Sequence, residues 1–243
     1  MLGLAKGRYS ARLAREDHDL EAAQRLRHLA FRGSEGIDSD VYDAVSDHVI
    51  VEDVSNGTIV CCFRMMPFND GASIQSSYSA QFYELSALER FKGPMVEMGR
   101  FCIHPDYRDP DILRVAWGAM TSYVDDNGVE LLFGCASFAG TDAASYADAF
   151  AMLKAKHLGP KRWLPQIKAP NVFRYASRLR RRPDAKKAML RMPPLLRTYL
   201  LMGGWVSDHA VIDTDMNTLH VFTGVEIGRI PPERKRLLRS VLA

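Results

Sequence analysis

The spacing of apolar residues predicts a helix and then a β-hairpin near the start of the chain. From Glu16 to Phe31 apolar side chains recur at helical intervals, which predicts an amphipathic helix. Two runs rich in β-branched residues follow, His48 to Val54 and Thr58 to Met66, and Ser55-Asn56-Gly57 joins them. Because Asn-Gly between such runs is the strongest short hairpin signal, we predict two antiparallel strands here.

Farther along the chain, strands and helices are predicted to alternate. Asp109-Pro110-Asp111 supplies a capping acid, a first-turn proline and a first-turn acid, and Asn127-Gly128 marks the end of the same helix. The predicted strands are residues 95–103, 129–137, 206–213 and 218–227, and the predicted helices are residues 111–124, 142–157 and a short one that begins at Pro231. This order predicts an α/β fold with a mixed sheet in a single domain, residues 1–243, without an internal repeat.

The composition is that of an ordinary soluble globular protein. Of the 243 residues, 47% are hydrophobic and 25% are charged, which argues against a disordered chain. No apolar run approaches the roughly 20 residues that a membrane-spanning helix needs. The N-terminal residues also carry charge too early for a signal peptide, so we expect a cytoplasmic protein.

The four cysteines give no sign of metal or redox chemistry. Cys61, Cys62, Cys102 and Cys135 all lie in apolar, strand-like runs, and none of them forms a CxxC pair. We expect buried, reduced thiols and no bound metal.

Positive charge is concentrated in one segment. Residues 151–200 contain fourteen Lys or Arg and one acid, Asp184, a formal charge of +13, whereas the rest of the chain carries −10. Six prolines punctuate this stretch, so we predict short helices and loops, a basic insertion at about residues 155–200. Such a surface needs an anionic partner, or solvent around most of its charges.

Two ionisable residues interrupt an apolar strand. Glu97 and Arg100 lie among Val96, Met98, Phe101 and their neighbours, and in a central strand each charge is unfavourable unless it is paired or used. A structural ion pair within the sheet and a role in catalysis are both open at this point. The sequence has no metal motif, nucleophile elbow, phosphate-binding loop or dinucleotide fingerprint.

Five blocks of sequence resemble one enzyme family. They are residues 26–31 (Leu-Arg-His-Leu-Ala-Phe), 47–51 (Asp-His-Val-Ile-Val), 97–100 (Glu-Met-Gly-Arg), 132–138 (Leu-Phe-Gly-Cys-Ala-Ser-Phe) and 193–200 (Pro-Pro-Leu-Leu-Arg-Thr-Tyr-Leu). They resemble the ornithine N-acyltransferases of ornithine-lipid synthesis, and the matching blocks cover most of residues 9–222. Weaker similarity extends to acyl-homoserine-lactone synthases, whose acid and Arg match Glu97 and Arg100, and whose early Arg and Phe match Arg27 and Phe31. The resemblance implies a GNAT-like fold, a mixed, mostly antiparallel central sheet flanked by helices.

The resemblance also implies that an amino acid's amine attacks an acyl thioester directly, without a metal. The amine is mostly protonated at neutral pH, so a base must remove a proton, and Glu97 is the candidate. Backbone amides near Met98 to Phe101 are expected to stabilise the oxyanion. Arg100 is expected to order the site by pairing with Glu97 or an acid such as Asp47, or else to hold the substrate carboxylate.

Further residues are assigned to the substrates on the same basis. The expected substrate-binding residues are Arg27, Phe31, Asp38, Asp43, Asp47, Phe101, Ser137 and Phe138. The three aspartates are expected to hold the cationic end of the amino acid, with solvated loop acids and a helix cap as the alternative. Four aromatic residues line an acyl tunnel or form plain core: Phe31, Phe101, Trp117 and Phe138.

The loop before the second predicted helix favours a carrier-bound donor. Coenzyme-A-dependent GNAT members have a glycine-containing turn whose amides wrap a pyrophosphate, whereas residues 108–113 of this chain contain two acids, a proline and no glycine. The resemblance therefore implies acyl-phosphopantetheine on acyl carrier protein as the donor, with no permanently bound cofactor. Acyl carrier proteins are acidic, and the basic residues expected to dock one are Arg108, Arg114, Arg178, Arg180, Arg181, Arg182, Lys186 and Lys187.

The implied reaction is transfer of a (3-hydroxy)fatty acyl group to the α-amine of L-ornithine, which gives lyso-ornithine lipid. An enzyme that used glutamine or another amino acid would share every feature quoted above. The main alternative of another class is a nucleic-acid-binding module that uses the basic residues 174–191, and the acidic remainder of the chain argues against nucleic acid as a partner. Peripheral contact with an anionic membrane surface is compatible with the enzyme.

Overall fold

The computed structural model describes residues 3–239. The strands are β1 (Gly3–Lys6), β2 (Tyr9–Leu13), β3 (Asp47–Asp53), β4 (Thr58–Phe68), β5 (Tyr83–Glu84), β6 (Met95–Ile103), β7 (Leu131–Ala139), β8 (Gln166–Ile167), β9 (Val172–Phe173), β10 (Trp205–Val206), β11 (Ala210–Asp213) and β12 (Thr218–Glu226). The helices are α1 (Asp17–Arg32), α2 (Pro110–Asp126), α3 (Ala147–Lys156), α4 (Tyr175–Arg178), α5 (Ala185–Arg191), α6 (Pro194–Leu201) and α7 (Pro232–Arg239).

The chain divides into two compact units, and strand β6 contributes to both. Unit one consists of residues 3–67, 98–129 and 232–239 within the described range. Its strand order is β1-β2-β3-β4-β6, and the pairs from β1 to β4 are antiparallel. Helix α1 buries Ala23 and Leu26 against Ile50 of β3 and Cys62 of β4, which fixes the helix on this part of the sheet.

Unit two consists of residues 68–97 and 130–231. Its strand order is β6-β7-β12-β11-β9, and β10 also pairs with β12. The β6–β7 pair is parallel, whereas β12 pairs antiparallel with β7, β11 and β10. Phe138, Phe150, Leu196 and Val221 belong to the buried cluster that joins these strands to the helices of the unit. The predicted α/β fold, with a mixed, mostly antiparallel sheet and flanking helices, is thus confirmed.

The local predictions hold where the sequence carried strong signals. Helix α1 and the β3–β4 hairpin lie where predicted, and Gly57 has the left-handed φ of 73° that its turn requires. The Asp109 side chain caps α2 by accepting a hydrogen bond from the backbone N–H of Asp111. The expectation of a single domain stays a prediction.

Three features differ from the predicted pattern. Strands β1 and β2 were not predicted. They are short, and their extended conformation depends more on pairing with neighbouring strands than on their own residues. The predicted strand 206–213 is broken into β10 and β11. At the break, the Ser207 hydroxyl accepts from the backbone N–H of Phe222 and donates to the carbonyl of His209, so a side chain replaces the backbone in the ladder. The basic stretch also contributes β9, which pairs with β11.

Candidate active site

Glu97 lies at the last residue of the parallel β6–β7 pairing, in the interior of unit two. Only 4% of its surface is exposed. Its carboxylate accepts hydrogen bonds from the backbone N–H groups of Tyr78 and Ser79, both at 2.7 Å, and from the Ser79 hydroxyl. Donors of this kind stabilise an ionised carboxylate, which is the form that a proton acceptor must have.

Sequence reasoning missed the turn that holds Glu97, residues 77–82. The serine-rich stretch 76–79 is typical of a turn, but it does not indicate which carboxylate the turn will bind. Ser79 is fully buried, and its Oγ also lies 3.4 Å from the Sγ of Cys135 on β7. This contact places Cys135 next to the Ser79–Glu97 pair.

Three arginines and three aspartates of unit one alternate in a closed ring of ion pairs, which we call the Arg–Asp ring. In order around it they are Arg27, Asp38, Arg100, Asp40, Arg64 and Asp43. The closing N···O distances lie between 2.5 and 3.0 Å. Because each charge has an opposite charge on both sides, the ring is electrically neutral and suited to a low-dielectric interior.

The ring accounts for several predicted residues together. Arg27 is 1% exposed, and its guanidinium binds Asp43 at 2.7 and 3.2 Å and Asp38 at 2.8 Å. Arg100 donates to Asp38 and Asp40, both at 3.0 Å. Desolvation by burial acts to raise the pKa of Asp43, but the hydrogen bonds and charge of Arg27 outweigh it, and the pKa of Asp43 falls from 3.8 to about 2.

Arg64 and Asp40 were not predicted as members of the site. Arg64 interrupts the apolar run of β4 in the same way that Arg100 interrupts β6, so the signal that identified Arg100 was present there as well. Arg64 is buried, and its guanidinium also lies over the Tyr42 ring, 5.5 Å from the centroid. Asp40 carries no comparable signal, since it lies in a polar loop.

Asp47 is set apart from the other two predicted aspartates. It is exposed at the start of β3, and it accepts a hydrogen bond of 2.6 Å from the hydroxyl of Tyr123 on α2. Burial and this bond raise the pKa of Tyr123, so the phenol keeps its proton. The contact ties α2 to β3 within unit one.

The predicted apolar residues lie in two separate packing groups. In unit one, Phe31 is half-buried against the α1 cluster, Phe101 stacks on Phe63 with 5.5 Å between ring centroids, and Trp117 is buried in α2. In unit two, Phe138 is buried among the rings of the α3 cluster, whereas the neighbouring Ser137 is exposed. A tunnel lined by the four aromatic residues stays a prediction.

The predicted basic residues are all exposed. Arg108 and Arg114 lie in unit one around the start of α2, and Arg114 binds Asp111 one turn away at 2.6 Å. The other six lie in unit two, from the last residue of α4 to the first turn of α5: Arg178, Arg180, Arg181, Arg182, Lys186 and Lys187. Arg181 binds Asp148 of α3 at 2.7 Å, so its charge also has a structural role.

The start of α2 already holds a carboxylate of the chain itself. Asp109 accepts from the backbone N–H of Asp111 at 2.9 Å, and its second oxygen accepts from the Tyr9 hydroxyl at 3.2 Å. The positive end of a helix dipole is where a bound pyrophosphate would be stabilised. Here a side chain provides that negative charge.

Within residues 3–239, no group of three or more His, Cys, Asp or Glu residues is arranged to hold a metal ion. None of the helices described there is both long enough and apolar enough to cross a membrane.

Comparisons with known proteins agree with this architecture. The family model described as an acetyltransferase (GNAT) domain matches residues 23–118. The solved structure of FeeM, an N-acyl amino acid synthase from uncultured soil microbes, aligns with a TM-score of 0.54 at 10% identity, covering 92% of this chain and 94% of that one. BjaI, a CoA-dependent acyl-homoserine lactone synthase solved with MTA, aligns with a TM-score of 0.50 at 14% identity, covering 93% and 82%. At such identities the likeness is one of fold, and the predicted GNAT-like fold is confirmed.

Curated relatives are similar over nearly the whole chain. The L-ornithine N(alpha)-acyltransferase of Rhodobacter capsulatus is 31% identical over 229 residues, which cover 88% of this chain and 88% of that protein. The protein of the same name from Brucella abortus is 29% identical over 244 residues, covering 92% and 86%. The one from Rhizobium meliloti is 29% identical over 240 residues, covering 90% and 80%.

Proposed function

The chain belongs to the L-ornithine N(alpha)-acyltransferase family and is an N-acyltransferase, and we propose that it acylates the α-amine of L-ornithine to give lyso-ornithine lipid. The observation that carries the proposal is the 31% identity to a protein of that name over 88% of both chains. The predicted family resemblance is confirmed, whereas the acceptor is our proposal.

The donor in this proposal is a (3-hydroxy)fatty acyl group on the phosphopantetheine of acyl carrier protein. Asp109 supports it, because a carboxylate at the start of α2 repels a second anion from the place where a pyrophosphate would bind. Phosphopantetheine on a carrier protein has one phosphodiester and no free pyrophosphate. The exposed basic residues 178–187 of unit two offer an acidic protein a complementary surface.

Glu97 is the base in the proposed mechanism. The amine of ornithine must lose a proton before or during its attack on the thioester, and Glu97 is a buried carboxylate held by three donors. Strand β6 departs from regular geometry just after Glu97, since Arg100 has a left-handed φ of 56°. Such an irregularity re-aims backbone groups, and the amides of residues 98–101 are the proposed donors to the oxyanion.

Arg100 orders the site in this proposal rather than holding the substrate carboxylate. Its guanidinium already bridges Asp38 and Asp40 in the Arg–Asp ring. Moving it to a substrate would leave two carboxylates with one partner fewer, which is unfavourable in a partly buried site. Asp38 and Asp43 are likewise held by arginines, so Asp47, which is exposed, is the predicted aspartate best placed to attract an ammonium group.

The proposed function is tested by competition between acceptors. Purified enzyme is incubated with 3-hydroxyacyl carrier protein and an equimolar mixture of ornithine, lysine and glutamine, and products are identified by mass. We expect N(α)-acylornithine to dominate, and a reaction without enzyme serves as the control for uncatalysed acylation. Preference for glutamine would contradict ornithine as the acceptor but not the proposed mechanism. If the same reaction with acyl-CoA in place of acyl carrier protein ran at an equal rate, the proposed donor would be wrong.

A further inference from the structure

We propose that Ser79 is a positioning residue for Glu97, and that its hydroxyl is the partner that lets this carboxylate accept a proton and release it again. The inference rests on the proposed function, in which Glu97 is the base. It adds a residue from the connection between β4 and β6, a segment to which sequence reasoning assigned no role.

The donors that the turn at residues 77–82 provides to Glu97 are of two kinds. Two are the backbone N–H groups of Tyr78 and Ser79, which can only donate. The third is the Ser79 hydroxyl, which can either donate or accept. Ser79 therefore supplies both a fixed and a reversible hydrogen bond to the same oxygen, Oε1.

Proton uptake changes what Glu97 needs from its surroundings. The ionised carboxylate only accepts hydrogen bonds, whereas the carboxylic acid must also donate one. A fixed N–H group cannot accept the new O–H, and an unmatched buried polar group costs about 1–3 kcal/mol. The hydroxyl of Ser79 removes this conflict by rotating.

When the Ser79 hydroxyl rotates, the sulfur of Cys135 is close enough to be its second hydrogen-bond partner. In the step we propose, one proton moves from the acceptor nitrogen to Glu97, and the carboxylic O–H then donates to Ser79 Oγ. The hydroxyl proton of Ser79 turns from Glu97 towards the Sγ of Cys135, which lies 3.4 Å from Ser79 Oγ. The reverse rotation restores the first arrangement when Glu97 releases its proton, and no other reactant takes part.

Burial makes the hydroxyl hard to replace. Ser79 has no exposed surface, and the turn around it is closed by hydrogen bonds from Ala80 N to Ser77 O and from Phe82 N to Ser79 O. Removing the oxygen should leave Glu97 with fixed donors from this turn.

The test uses Ser79→Ala with Ser77→Ala as the matched control. Ser77 belongs to the same turn and is also buried, but its hydroxyl accepts from the backbone N–H of Ala80. We expect Ser79→Ala to lower kcat about 10- to 100-fold, part of the contribution of a general base, with little change in KM for ornithine. The acidic limb of its pH–rate profile should move to higher pH, because the ionised carboxylate has lost a donor. Ser77→Ala should keep the wild-type profile.

A double variant shows whether Ser79 acts through Glu97. In the Glu97→Gln background, Ser79→Ala should cause no further loss of kcat, since residues that act as a unit are not additive. An equal fold-loss in both backgrounds, or an unmoved pH profile, would overturn the inference while leaving Glu97 as the base. Full activity of Glu97→Gln alone would overturn the proposed base and this inference together. If Ser79→Ala does not fold, Ser79→Cys keeps the shape with a weaker donor, and its pH profile should shift in the same direction.

Discussion

Replacing Arg27 by Met should lower the free energy of unfolding by about 3–5 kcal/mol, the usual cost of removing one partner from a buried ion pair. Arg27 is 1% exposed and makes three hydrogen bonds to the carboxylates of Asp38 and Asp43. Met keeps most of the apolar stem, so the change removes charge and donors rather than core volume.

The magnitude can be worked from Asp43. Its pKa falls from 3.8 to about 2, despite the opposing effect of burial, mainly through the bonds and charge of Arg27. At about 1.4 kcal/mol per pKa unit, the net stabilisation of the charged form is about 2 kcal/mol. Asp38 loses a bonded partner as well, so the total loss should exceed the figure for Asp43 alone.

Urea unfolding followed by circular dichroism measures the change, with Arg25→Met as the matched control. Arg25 lies on the same helix and binds Glu21 at 2.5 Å, but both side chains are more than half exposed. An exposed pair of this kind contributes about 0–1 kcal/mol. If the two variants differ by less than 1 kcal/mol, the Arg–Asp ring does not stabilise the fold as argued.

Three further predictions concern catalysis, docking and acid stability. Glu97→Gln should lower turnover at least about a hundredfold with the fold intact, and a near-wild-type rate across the pH range would show that Glu97 is structural. Reversing Arg178, Arg180 and Arg182 to Glu, while keeping the structural Arg181–Asp148 pair, should raise the KM for acyl carrier protein about tenfold or more. A short acyl-pantetheine should react equally with wild type and this variant, and slower reaction of both donors would indicate damage to folding or catalysis instead. The stabilisation from Asp43 is fully present above its unfolded pKa of about 4 and is lost as pH falls through about 2. The free energy of unfolding of the wild type should therefore decrease over this pH window, and that of Asp43→Asn should decrease less.

Most of the fold was predictable because its signals are local. Helix α1, the β3–β4 hairpin and the cap of α2 each depend on residues within a few positions of one another. Hydrophobic periodicity, an Asn-Gly turn and an acid before Pro110 act over that range, so they can be read without knowing what else the chain contacts. The strands β1 and β2 were missed because they are short, and pairing with neighbouring strands determines them more than local composition does.

The sequence by itself identified the charged residues in apolar strands that need a partner, and its resemblance to ornithine N-acyltransferases identified the family. Only the tertiary structure decided their partners. Arg100 binds acids 60 and 62 residues away, and Glu97 is held by a turn 18 and 19 residues before it. A buried charge needs a partner somewhere, but Coulomb attraction and hydrogen bonding depend on distance in space, and only the folded chain brings the turn and loop partners within 3 Å of the strand residues. The need for a partner is therefore visible in the sequence, while its identity is a property of the fold.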